Sequence, residues 1–149
     1  MRWFPTAVML LAATACAGAP VARNFEEVAD YRAVSFAEMW DIVVDMFGDR
    51  NWAIENSERD NGTISTDWTR NDDVSYRDCG SSGFRATDSD HMGRLSAVVR
   101  ETANGVSVRV TTSWRVTRNS ANSISSVECV STGVLERELH DEVRLLLLR

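Results

Sequence analysis

From Val106 to Val116 the chain alternates without a break: Val106, Val108, Val110, Thr112, Trp114 and Val116 are separated by Ser107, Arg109, Thr111, Ser113 and Arg115. A period of two is the signature of a β-strand, so one face of this stretch must be buried and the other can meet water. Asn104-Gly105 supplies a tight turn before it, and Leu95, Ala97 and Val99 alternate on the other side of that turn. The result is a long hairpin. Two strands alone do not hold a domain together, so more sheet and a cover for the apolar face must come from elsewhere in the chain.

The cover begins at Val34. Ser35 and Glu38 stand at the spacing of a capping box, with Val34 and Met39 placed for a hydrophobic staple. Phe36, Met39, Trp40, Val43 and Phe47 recur at helical spacing, with Ile42 and Met46 beside them, while Glu38, Asp41 and Asp45 fall largely on the other face. Gly48 is the expected stop. Trp52 and Ile54 then alternate with polar neighbours, Asp60-Asn61-Gly62 offers the positive-φ residues of a hairpin turn, and Ile64, Thr66 and Trp68 alternate again. Downstream of the long hairpin, 118–126 reads as a loop or an irregular edge strand. Ser131 or Thr132 is placed to cap a last helix with Leu135, Leu139, Val143 and Leu146 as its stripe, and the apolar turn 145–148 is assigned to the core. The elements give an α+β fold, an antiparallel sheet of at least four strands with an N-terminal and a C-terminal helix packed on one face.

The first twenty residues read differently. Arg2 is a short positive end, 7–13 an apolar core, and small residues lead to Cys16, so 1–15 reads as a signal peptide. Ala13-Thr14-Ala15-Cys16 resembles a bacterial lipobox, which implies cleavage before Cys16 and acylation of its thiol and new amino terminus, palmitate included. Several acyl chains anchor stably. Ala17 after the cysteine, rather than aspartate, implies the outer membrane, with the protein facing the periplasm. Residues 16–33 are read as a tether whose Phe25 and Tyr31 can dock onto the domain, and 34–149 as one domain. All 16 basic residues are arginine and the formal charge is −6, a balance that argues against nucleic acid as a partner.

Chemistry is sparse. Residues 71–91 form the expected polar loop, where Asp88, Asp90 and His91 offer oxygen and nitrogen to a metal, but no second histidine lies nearby, and no metal or other cofactor is assigned. Ser75, Ser81 and Ser82 have only His91 and His140 as histidine bases, and neither stands in a catalytic motif, so no catalytic residue and no enzymatic activity are assigned. Cys79 and Cys129 remain as an exported pair once Cys16 is lipidated, and are expected to form a disulfide worth roughly 3 to 4 kcal/mol by loop entropy. It would pin the polar loop to the segment before the last helix.

Ser35–Trp68 as a unit, with Trp40 in the helix, the Asp49–Glu55 return, Asp60-Asn61-Gly62 and the closing Ile64-Ser65-Thr66-Asp67-Trp68, resembles the helix-grip domains of the BamC, or lipoprotein-34, family of the outer-membrane β-barrel assembly machinery. The resemblance implies a helix-grip fold and a non-enzymatic, lipid-anchored envelope scaffold or interaction module with an envelope protein as partner, accessory to outer-membrane protein assembly. The other expectation is a periplasmic lipoprotein that holds a small apolar ligand or lipid between helix and sheet, with Trp52, Trp68 and Trp114 lining the groove.

Overall fold

The computed structural model describes Phe25, residues 27–83 and residues 85–149; the leader, Cys16 and residues 17–24 lie outside it. Ten regular elements follow one another: β1 (Glu27–Arg32), α1 (Phe36–Asp49), β2 (Ile54–Glu58), β3 (Thr63–Thr66), β4 (Thr69–Arg70), β5 (Arg77–Asp78), β6 (Thr87–Thr102), β7 (Gly105–Ser120), β8 (Ser123–Ser131) and α2 (Val134–Leu146). The fold is α+β, and its strands form an eight-stranded sheet paired antiparallel throughout.

The hairpin of β6 and β7 is the spine. Its two 16-residue strands pair from Thr102 opposite Gly105 to Thr87 opposite Asn119. β7 carries two neighbours on its other edge: β1 lies along its first half, Glu27 opposite Val110, and β8 along its second, Trp114 opposite Cys129. Leu95, Ala97, Val99, Val106, Val108, Val110 and Trp114 point to one face, where they share a core with Met39, Trp40, Val43, Met46 and Phe47 of α1 and Leu135, Leu139 and Val143 of α2. Each of the larger side chains contributes about 1.5 to 3 kcal/mol by leaving water.

Turn chemistry follows the expected residues at Gly62. Its φ is +63°, and a Cβ there would stand 2.0 Å from the Val99 carbonyl oxygen. Only glycine lets β3 approach β6 this closely, with Gly62 accepting a hydrogen bond from the Val99 N–H at 2.7 Å.

Several expectations are corrected. Residues 27–32 are not tether but β1, hydrogen-bonded into the sheet. Gly48 lies inside α1, and the left-handed residue that ends the turn is Asn51, φ 58°, whose short polar side chain tolerates that conformation. All of β2, Ile54 included, is exposed, because β2 lies at the margin of the sheet. Asp88, Asp90 and His91 belong to β6, not to a loop; a register shift between Ser89 and Met92, with Asp90 at φ 46°, hides the alternation. Residues 118–126 are the hairpin end of β7 and β8. The N-cap of α2 is Gly133 in the left-handed region, while Ser131 and Thr132 form other bonds described below. In the last turn Leu146 and Leu147 pack on the core, but Leu145 and Leu148 are 63% and 84% exposed.

Candidate functional site

The densest meeting of polar and aromatic groups lies where β1 and β8 approach each other along β7, under the start of α2. Thr112 stands on the apolar face of β7, one step before Trp114, and takes the place of a valine there. Its hydroxyl accepts from Trp114 Nε1 at 2.8 Å and donates to Glu136 Oε1 at 2.6 Å. Ser131 Oγ donates to the same oxygen at 2.6 Å and accepts from the Gly133 N–H. Glu136 is fully buried, and its Oε2 has no hydrogen-bond partner among the described residues. Phe25 closes this end. Its ring lies so near Gly133 that a Cβ there would fall 2.5 Å away, and Arg137 stacks on the ring at 5.4 Å.

One turn along α2, His140 is buried among β1 groups. Its Nε2 donates to the Glu27 carbonyl at 3.2 Å, because a carbonyl can only accept, and its Nδ1 then accepts a hydrogen bond from the Tyr31 hydroxyl at 2.8 Å. Burial holds His140 below the usual histidine range and pushes the Tyr31 phenol up to about 12. Together Phe25, Tyr31 and Glu27 tie β1 to α2.

On the other side of Trp114 the segment between β4 and β6 folds over its ring. Tyr76 stacks on it at 5.9 Å and Arg77 lies over it at 5.7 Å. The buried Arg77 guanidinium donates to the Asn71 and Asp73 carbonyls and meets His91 Nδ1. Tyr76 donates to Glu138 at 2.9 Å, and Arg50 binds Glu142 at 2.6 Å, so the end of α1, the flap and α2 are joined.

The three tryptophans expected to share a groove are separated. Trp52 and Trp114 meet edge to face at 6.3 Å inside the core. Trp68 is on the opposite side of the sheet, where Arg115 stacks on it at 4.1 Å. Opposite faces follow from residues 114 and 115 being adjacent in β7. Cys79 and Cys129 are bonded, with 4.2 Å between their Cα atoms. Beside them Arg118 grips Asp88 through two bonds of 2.7 and 2.9 Å and reaches the Cys79 carbonyl at 3.0 Å. That guanidinium holds the Asp88 carboxyl below the usual range. Asp88 is therefore engaged by Arg118, His91 by Arg77, and Asp90 is set apart by the bulge. Among the described residues no three histidine, cysteine or acidic side chains converge on one point.

Ser75 donates to Asp73 rather than to a histidine, and Ser81 offers its carbonyl to Arg118. An open groove of about 530 Å³ lies elsewhere, bounded by Phe36, Arg59, Gly62 and Arg100, at the far end of the hairpins. Sequence reasoning missed Glu136 as a buried group. The signal was available: Glu136 and His140 sit four apart beside the Leu135, Leu139, Val143 stripe, and Thr112 interrupts the valines of β7. What the cluster does chemically is to fix the positions of β1, β8 and α2 through hydroxyl, carboxylate and imidazole bonds.

No model of a known protein family matches the sequence, and comparison with curated proteins gives no match either.

Proposed function

We propose that this protein is a lipid-anchored envelope scaffold, held in the outer membrane through Cys16 and offering its folded domain to another envelope protein, as an accessory of outer-membrane protein assembly. The observation that carries the choice of a surface over a ligand chamber is the filled interior. Trp52, Trp114, Met39, Met46 and Phe47, none more than 5% exposed, occupy the space between helices and sheet in which a helix-grip protein would hold an apolar ligand. The disulfide suits an oxidising compartment. Phe25 docks on α2 only nine residues after Cys16, a span of at most about 30 Å, so the domain would stand close to the bilayer. The element order, α1, the β2–β3 hairpin, the long strands and α2, supports reading the fold as helix-grip-like.

The test is gentle detergent extraction of the full-length protein from its native envelope, followed by identification of what accompanies it. Barrel-assembly components recovered in stoichiometric amount, and lost with Cys16→Ala, are the expected result. Cys16→Ala is also expected to move the protein from the membrane to the soluble fraction; retention in the membrane would remove the anchor from the proposal. Recovery of a tightly bound lipid with no protein would favour the ligand reading instead.

A further inference from the structure

Among the described residues β1, β2 and β8 pair on one side along most of their length, and two of these edges are protected. β1 carries Glu27, Asp30 and Arg32 and is bonded to α2 through its Glu27 carbonyl. β2 carries Glu55 and Glu58, breaks register between Ile54 and Asn56, and holds Glu58 in bonds from Asn56 and Asn61. Charge, bulges and covers are the usual means by which a sheet edge avoids pairing with another chain.

The first five residues of β8 have none of them. Ser123-Ile124-Ser125-Ser126-Val127 bears no charge, no proline and no bulge, and stays in unbroken register with β7 from Ser123 opposite Ser120 to Cys129 opposite Trp114. On its outer side β5 pairs only with Val130 and Ser131, so among the described residues the edge from Ser123 to Glu128 has no strand partner. Ser123 to Ser126 are exposed, and Ile124 is 76% exposed.

We infer that this edge is the pairing surface of a homodimer, in which β8 of one copy lies antiparallel to β8 of a second across a twofold axis. A second copy fits this edge because the segment, paired antiparallel with itself, sets no charge against another and brings its two isoleucines to one face. Residues directly opposite in an antiparallel pair share a face, so the axis must pass through a residue. Placed at Ser125, it sets Ser123 opposite Val127 and Ile124 opposite Ser126. Every pair in this five-residue ladder is neutral. The two Ile124 side chains become diagonal neighbours on one face, about 7 to 8 Å apart by backbone and within reach of each other. Arg118 of β7 stands across from Ser125 but is held by Asp88, and Glu128, the nearest charge along β8, falls outside the ladder and stands across from Arg115 within its own sheet.

The experiment is sedimentation of the full-length chain in excess detergent micelles over a range of protein concentrations, for the natural sequence, for Ser125→Lys and for Ser57→Lys. Ser125→Lys sets two like charges opposite each other at the axis and is expected to weaken dimerisation by about tenfold or more. Ser57→Lys puts the same charge on the β2 edge and is expected to leave the dimer intact. Ser125 is exposed, so an unchanged circular dichroism spectrum is expected for both. A monomer at every concentration, or a dimer that survives Ser125→Lys, overturns the inference. So does a complex with a different protein that replaces the dimer and is lost with Ser125→Lys, since that assigns the edge to a foreign strand.

Discussion

His140 shows how much one residue can decide. Both ring nitrogens are committed, Nδ1 to the Tyr31 hydroxyl and Nε2 to the Glu27 carbonyl, and a second proton on the ring would occupy Nδ1 and break the bond it accepts from Tyr31. The surrounding charges are Glu27 on β1 and Asp141 and Arg144 on α2, but burial is the larger influence and favours the neutral ring. In the unfolded chain a histidine protonates near pH 6.5, whereas the folded one stays neutral to lower pH. Between those two points the unfolded state binds more protons, so stability is complete above about 6.5 and falls as the pH drops. Urea midpoints measured from pH 7.5 to pH 5 should decline for the natural protein. With His140→Gln that part of the decline should flatten, on top of an overall loss of about 1 to 3 kcal/mol from broken buried bonds. An unchanged pH slope in the variant would assign the effect to other groups.

At the scale of elements, the contact between β6 and Trp114 is the most sharply constrained. Gly93 lies opposite Trp114 and has no unusual φ, so its small size is required for space alone: a Cβ there would stand 2.4 Å from the indole ring. Gly93→Ala should therefore cost about 1 to 3 kcal/mol in denaturant unfolding, with a shift of Trp114 fluorescence as the ring is pushed aside. Nothing in the sequence around Gly93 announces this, because the partner is met only across the strand pair. The β6–β7 hairpin itself was legible, since its valines alternate, although its two-residue turn is Ala103-Asn104, one residue before the expected pair. α1 was legible too, apart from its end, where Asn51 rather than Gly48 takes the left-handed turn. β8 was not, because its serines leave no apolar face to betray a strand. β1 was hidden for another reason: its acidic residues read as solvated, and the groups that bury Tyr31 and bond Glu27 belong to α2, more than a hundred residues away.

For the molecule as a whole, α+β class, one antiparallel sheet and a shared helical face follow from patterning, while the polar cluster at Glu136 and the separation of Trp68 from Trp52 and Trp114 depend on which face each strand turns inward. The disulfide belongs to this scale because it closes a loop of 50 residues and fastens the flap over Trp114 to β8. Replacing both Cys79 and Cys129 by serine should lower the unfolding free energy by about 3 to 4 kcal/mol. The unreduced natural protein, unfolded and treated with a thiol reagent, should show no modification at either position. Modification at both would remove the bond from this account.

The pairing of β1 also sets an order of events. A chain is made from its amino end, and β1 is the first of the described strands to leave the machinery, yet its partners on β7, Val110 to Gly105, are among the later residues to follow. The β6–β7 hairpin closes over a turn of two residues and can form as soon as it emerges. β1 has to wait, extended and unpaired, for a stretch 73 to 83 residues downstream, and the α2 groups that hold it arrive later still. The strand that comes early in the sequence can thus pair only after the hairpin it joins, and a nascent chain halted before β7 should display residues 27–32 to any protease within reach.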